Sequence, residues 1–401
     1  MRKQLKKKLT RKLKSWSVAA MAALGMAAAA HAADPVKIGV IIPMTGPFQS
    51  NGKQIEAAIK AHTKAKGDTV AGRKIEFILR DDRGAPDNAN RFAQELIAQD
   101  RVSILTGFGN TPAALSAAAF AAKAKVPQVI MVAATSSIVE KSPYIVRTSQ
   151  SIPQIASVIG QWAPKYGPKT FVSIVSEYGP GLDAEEWFAK TVEAHGGRVI
   201  EKLKVPLANP DFAPFLQRAA DAKPDALFVF VPTGAGGNFM KQFVERGLDK
   251  AGMKLVAMSD LTDDDLLNNM GDAALGAVTG GPYSASHDSP ENKAFVAQFK
   301  ATNPGMRPNV VAVGAWDALE LIYRAVEATK GETNGDALIA AMKGQSWNSP
   351  RGPISIDPAT RDIIQNIYMR KVERHDGELY NMEFETFPNV KDPAHGAPES
   401  K

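Results

Sequence analysis

From residue 36 onward, short β-branched apolar runs alternate with stretches of helical periodicity, and that alternation restricts the folds open to the chain. Val36-Lys37-Ile38-Gly39-Val40-Ile41-Ile42 is almost continuously apolar, as expected of a strand covered on both faces. Comparable runs recur at 74–80, 102–105, 127–132, 170–175, 226–231 and 254–258. Between them, Ala89, Phe92, Ala93, Leu96 and Ile97 fall at helical spacing and form one apolar stripe. Trp316, Leu319, Tyr323 and Val326 form another, with Glu320 and Arg324 placed for an i, i+4 ion pair. Strands alternating with helices imply βαβ units, hence an α/β fold with parallel sheets.

The alternation comes in two series. The first runs to about Thr148, and the second begins with a helix ahead of Thr170. Three non-periodic connections mark the chain: Ser149 to Pro153, Gly280 to Ser284, and Arg351-Gly352-Pro353 to Pro358. They read either as surface loops or as three crossings between two lobes. At 401 residues the chain is long enough for both lobes.

The N-terminus has a different character. Residues 1–17 carry eight basic side chains and no acid, and an uncharged run from Val18 to Ala30 leads to Ala30-His31-Ala32. A basic segment, a short apolar segment and a small-x-small site together make a secretory signal over residues 1–32. The apolar run is too short to span a bilayer, which takes about 20 residues. The formal charge of +6 belongs to this segment, because without its eight basic residues 40 basic side chains face 42 acidic ones. A nucleic-acid partner therefore loses its electrostatic basis. With no cysteine in the chain, disulfides, thiolate catalysis, Cys-based metal sites and N-terminal lipidation are excluded. The expected location is the periplasm, without a lipid anchor.

Catalytic motifs are missing. The mature histidines, His62, His195, His287, His375 and His395, show no metal-ligand spacing and are expected at the surface. There is no G-x-S-x-G elbow and no phosphate-binding G-x-x-x-x-G-K-[ST] loop. In Gly234-Ala235-Gly236-Gly237-Asn238-Phe239, a phenylalanine stands where a dinucleotide fingerprint needs its third glycine. Asp263-Asp264-Asp265 lacks the Gly and distal Glu of a calcium loop and reads as carboxylates at a helix start. An enzyme is not excluded by these absences, but no motif supports one, nor a cofactor or metal.

Short polar loops remain, each between a buried strand and a helix, where an open α/β sheet binds ligands and helix N-termini favour anions. They are Pro43 to Pro47, Gly107 to Thr111, Ala133 to Ser137, Tyr178 to Gly181, Pro232 to Gly234 and Met258 to Asp260. With Lys37-Ile38-Gly39-Val40, Met44-Thr45-Gly46-Pro47, Asp81-Asp82, Pro127, Tyr144-Ile145-Val146-Arg147-Thr148, Tyr178-Gly179-Pro180-Gly181 and Gly352-Pro353, the chain resembles the periplasmic branched-chain amino-acid binding proteins. These are type I solute-binding proteins of ABC transporters, and the motifs, in order, span residues 36–375.

The resemblance implies two Rossmann-like lobes with parallel sheets joined by three crossover strands. One lobe comprises 33–150 plus 284–355 and the other 151–283 plus 356–390, with a flexible tail at 391–401. It implies a monomeric binding protein, not an enzyme and without cofactor or metal, that captures an amino acid or related carboxylate and delivers it to an ABC permease and its ATPase; the alternative is a ligand-sensing receptor subunit of the same fold. Asn110 and Thr111 would hold the carboxylate, Ala133 (backbone) and Thr135 (hydroxyl) would add contacts, and Tyr178 would close over the ligand. Thr233 would line the pocket, and Asp260 would pair with an α-ammonium. Pro232-Thr233 and Asn51 stand where some amino-acid binders carry an aromatic residue, and wider relatives take aromatic acids or keto acids. Structural roles stay open too: Thr135 or Asp260 as a helix cap, Asn110 as a turn residue, Tyr178 as seam packing. Export predicts a processed protein: its intact mass should correspond to a chain starting at Ala33 or Asp34, and retention of residues 1–32 would contradict the signal assignment.

Overall fold

The computed structural model describes residues 34–395; the proposed signal segment lies outside them. Val36, Ile38, Val40, Ile41 and Ile42 have no exposed surface, so β1 (Val36–Ile42) needs cover on both faces. It lies inside a six-stranded sheet of order β2-β3-β1-β4-β5-β6, with β2 (Thr69–Val70), β3 (Arg73–Asp81), β4 (Ile104–Gly107), β5 (Gln128–Ile130) and β6 (Ile145–Arg147). All pairings are parallel except the β2–β3 hairpin. Helix α1 (Gln49–Lys66) packs on one face, and α2 (Pro86–Ala98) and α3 (Thr111–Lys123) on the other.

The second lobe carries α4 (Ile152–Trp162), β7 (Thr170–Ser176), α5 (Gly179–Ala194), β8 (Arg198–Val205), α6 (Ala213–Ala222), β9 (Ala226–Phe230), α7 (Gly236–Glu245), β10 (Lys254–Met258) and β11 (Val278–Gly281). The chain then returns to the first lobe as α8 (Pro290–Thr302), α9 (Val310–Ala328) and α10 (Gly335–Met342), which complete the core on the α1 face. It finishes with β12 (Ser346–Ser349), β13 (Gly352–Ile356), β14 (Ile363–His375) and β15 (Glu378–Val390).

The second sheet departs from the expected parallel one. Its nine strands run β12-β13-β14-β11-β10-β9-β7-β8, with β15 paired to β14. The β7 to β11 portion is parallel, but β14 joins β11 antiparallel and forms a long hairpin with β15. Strands β8 and β15 alternate exposed and inward residues, so neither shows the continuous apolar run of a doubly covered strand.

The lobes meet where three fully buried arginines gather. Arg147 pairs with Asp362 in a two-pronged ion pair, its Nε 2.7 Å from Oδ1, and donates to the Thr135 carbonyl at 2.7 Å. Arg351 binds Asp317 and Gln365 and donates to the Thr148 carbonyl in the first crossing. Arg370 donates to the Tyr283 carbonyl in the second crossing and to Thr279. The third passage lies within β14: Ile363 belongs to the first lobe's core, Ile367 and Met369 to the second's.

Three local expectations are corrected. Residues 391–395, read as the start of a loose tail, are packed: Asp392 is buried and accepts the Ser136 hydroxyl at 2.6 Å. His62 is not at the surface but fully buried, edge-on to Trp316 and Tyr323, and burial holds its pKa below the ordinary value. Asp263 and Asp264 are buried, and neither caps the short helix that begins at Leu267. Asp263 accepts the Asn309 amide at 2.7 Å, and Asp264 accepts that of Asn381. The Glu320–Arg324 pair forms at 2.8 Å. Among the described residues no helix is long and apolar enough to cross a membrane.

Burial sorts these ion pairs by weight. Asp317→Ala strands the Arg351 guanidinium without water and should lower unfolding free energy by about 3–5 kcal/mol. Lys241→Ala, in an exposed pair with Glu245, should change it by less than about 0.5 kcal/mol. Chemical denaturation of both variants checks the contrast.

Candidate functional site

The cleft lies at the carboxyl ends of both sheets. On the first lobe, β4 ends at Gly107 and the chain reverses through Phe108, a buried residue held at φ +62°. Strain of this kind persists only where the surroundings enforce it, and here it directs Gly109, Asn110 and the start of α3 into the cleft. Asn110 caps α3: its Oδ1 accepts the Ala113 N–H at 2.9 Å, and its Nδ2 donates to the Gly84 carbonyl at 3.1 Å. Gly84, at φ +73°, fits where a Cβ would come within 2.9 Å of the Phe48 ring. Asp81 accepts the Met44 N–H at 2.9 Å and the Thr45 hydroxyl at 2.8 Å. It thereby fastens the turn that leads to Phe48. Thr111 and Thr135 hydroxyls lie 3.1 Å apart.

On the second lobe, Tyr178 follows β7, Phe230 ends β9, Thr233 follows β9 and Asp260 follows β10. Tyr178 stacks nearly parallel to Phe230, with centroids 6.1 Å apart and planes 9° apart, and meets Phe48 of the first lobe at 6.4 Å. Burial, with the nearby Asp260 charge, holds the Tyr178 phenol well above its ordinary pKa. Asp260 accepts the Thr233 hydroxyl at 3.3 Å and the Ser259 hydroxyl at 3.4 Å. Burial pushes its carboxyl up to about 6, against the pull of those hydrogen bonds and of Arg370. Arg370 forms its own ion pair with Asp264, 3.7 Å away, so the Asp260 carboxylate is left as a strong acceptor facing the cleft.

These walls enclose about 520 Å³ of empty space, mouth included. Asn110, Thr111, Ala133, Tyr178, Thr233 and Asp260 all line it. Thr135 sits one layer behind, its hydroxyl on Thr111 and its side chain against Gly179 of the other lobe. The Asn110 side chain is committed to the cap and the Gly84 turn, so its backbone is what it can offer a ligand. No side-chain cap forms at Thr135, and Asp260 caps no helix.

Phe48, Phe230, Gln150, Val310 and Val311 also line the cavity and were not read from the sequence. Phe230 ends a wholly buried strand and cannot be told from core. Val310 and Val311 open a helix some 50 residues beyond Asp260, with no local signal tying them to the cleft. Gln150 falls in the first crossing, which carried only a boundary signal. The site thus offers a helix N-terminus and a hydroxyl for an anion on one lobe, a carboxylate acceptor on the other, and three aromatic rings drawn from both.

The family model described as periplasmic binding protein matches residues 35–378. A Brucella abortus protein named Leu/Ile/Val-binding protein homolog 6 is 42% identical over 385 residues, covering 95% of this chain and 99% of its own. The solute-binding protein of an ABC transporter from Rhodopseudomonas palustris BisB5, solved in complex with 3,4-dihydroxybenzoic acid, is 59% identical. It superposes with a TM-score of 0.89, covering 90% of this chain and 99% of its own. A second Rhodopseudomonas palustris solute-binding protein, solved with 4-hydroxybenzoate, is 42% identical with a TM-score of 0.88 and the same coverage.

The raised pKa of Asp260 makes a signed prediction for the ligand-free protein. Between its ordinary value of 3.8 and about 6 the folded state binds more protons than the unfolded one, so this carboxyl lowers stability as pH rises through that window. Asp260→Asn should match the wild type near pH 4 and exceed its unfolding free energy by roughly 1–3 kcal/mol above pH 6. Denaturant titrations at pH 4, 5, 6 and 7.5 test this; a constant offset across the series would contradict it.

Proposed function

The chain belongs to the periplasmic binding protein family of ABC-transporter solute-binding proteins, and on that premise we propose that its solute is a hydroxybenzoate, an aromatic carboxylate carrying a ring hydroxyl. The observation that carries this reading is the set of rings, Phe48 from one lobe and the stacked pair Tyr178 and Phe230 from the other. A flat ring fills such a slot at low entropic cost and gains offset stacking from its walls. The solutes held by the 59% and 42% identical relatives have this chemistry.

In this account the carboxylate rests on the N-terminus of α3, against the Thr111 N–H and hydroxyl, where the helix dipole favours an anion. The para hydroxyl donates to Asp260, whose ionised form is the better acceptor and gains a charge-assisted bond. Closure about the crossings brings Tyr178 and Phe230 over the ring and expels water. The solute is not altered chemically; the closed protein presents it to an ABC permease in the inner membrane, whose ATPase drives uptake.

A second reading keeps the amino-acid solute. The name of the 42% identical Brucella protein favours it, and Asp260 could pair with an α-ammonium as well as with a phenol. The two readings part in a thermal-shift series on refolded protein. A ligand at a hundred times its Kd adds about 2.7 kcal/mol, so 4-hydroxybenzoate and 3,4-dihydroxybenzoate should raise the melting temperature, benzoate less, and leucine or valine not at all. In Asp260→Ala the advantage of 4-hydroxybenzoate over benzoate should vanish. A shift with leucine and none with the phenolic acids would overturn the proposal in favour of the amino-acid reading.

A further inference from the structure

Asn51 lines the same cavity from the first turns of α1 and is only 5% exposed. Its Nδ2 donates to the Gly109 carbonyl at 3.0 Å. Because a carbonyl can only accept, that contact fixes which way the amide points. Its Oδ1 is buried and has no hydrogen-bond partner among the described residues. An acceptor left so pays its desolvation without return, a cost that a donor arriving with the solute would remove.

The position of Asn51 narrows what that donor can be. Its partner Gly109 directly precedes Asn110 and Thr111, so Asn51 belongs to the same lobe and the same stretch of cavity wall as the proposed carboxylate site, whereas Asp260 belongs to the other lobe. A carboxylate there offers no proton, and the para hydroxyl is taken by Asp260. A hydroxyl ortho to the carboxylate spends its proton on an internal hydrogen bond to that group. The meta hydroxyl is the remaining donor on the ring flank. We infer that Asn51 is a specificity-determining residue that accepts the 3-hydroxyl, so that the site prefers 3,4-dihydroxybenzoate to 4-hydroxybenzoate. The inference rests on the hydroxybenzoate reading and deepens it.

Calorimetric titration of wild type, Asn51→Leu and Asn51→Ala with 4-hydroxybenzoate, 3,4-dihydroxybenzoate and 2,4-dihydroxybenzoate tests it. The expected wild-type preference for the 3,4-isomer over 4-hydroxybenzoate is about threefold to tenfold, the worth of one neutral hydrogen bond. It should fall to parity in both variants while 4-hydroxybenzoate still binds, which shows the pocket intact. An unchanged preference in the variants, no preference in the wild type, or an Asn51-dependent gain for the 2,4-isomer instead would each overturn the assignment. Equal loss of all three ligands in both folded variants would also overturn it, reducing Asn51 to a support for Gly109. If no hydroxybenzoate binds the wild type, the parent proposal falls and this inference with it.

Discussion

Three guanidinium groups taken wholly out of water govern how the rest of the molecule is arranged. An unpaired buried charge is prohibitive, so Arg147, Arg351 and Arg370 must each find carboxylates and carbonyls for their N–H groups. They find them on the crossing segments: Thr148 in the first, Tyr283 in the second, Asp362 and Gln365 at the start of β14. Each arginine therefore ties together pieces of chain far apart in sequence, at the points where the two lobes join. Sliding of one lobe past the other would strip a buried cation of its partners. Asp392 belongs to the same constraint, lying 3.5 Å from Arg147, which explains why the segment around it packs there.

The cleft inherits its geometry from that junction. Phe48, Asn51 and the α3 N-terminus stand on one lobe, Tyr178, Phe230 and Asp260 on the other, and together they line one cavity. The electrostatics are uneven along it. Arg370 lies behind Asp260 but spends its charge on Asp264, so Asp260 faces the cleft with hydroxyl partners alone and a carboxyl raised to about 6. Such a group can be neutralised by an ammonium or satisfied by a phenol. In the proposed reading the surrounding rings, not the carboxylate, would discriminate between these, since a branched aliphatic side chain gains no stacking from Tyr178 and Phe230.

Much of this was legible in the residues. The apolar runs at Val36–Ile42, Thr170–Ser176, Ala226–Phe230 and Lys254–Met258 marked strands, and the loops after the last three carry Tyr178, Thr233 and Asp260, which all line the cleft. What escaped notice had no local signature. The β14–β15 hairpin alternates polar and apolar residues, so a search for buried runs passes over it and misses the antiparallel part of the sheet. Phe230 reads as core because its ring serves both core and cavity. Asn110 was legible as a residue of a cleft loop but not as a cap, a role visible only once Ala113 and Gly84 are seen around it.

The central claim is that one aromatic acid spans the cleft from the α3 N-terminus to Asp260, and a crystal structure of the 4-hydroxybenzoate complex tests it most directly. The account predicts the ring between Phe48, Tyr178 and Phe230, the carboxylate within hydrogen-bond distance of Thr111, and the phenol on Asp260. A ligand bound outside this cavity, or one whose carboxylate faces Asp260, would contradict it.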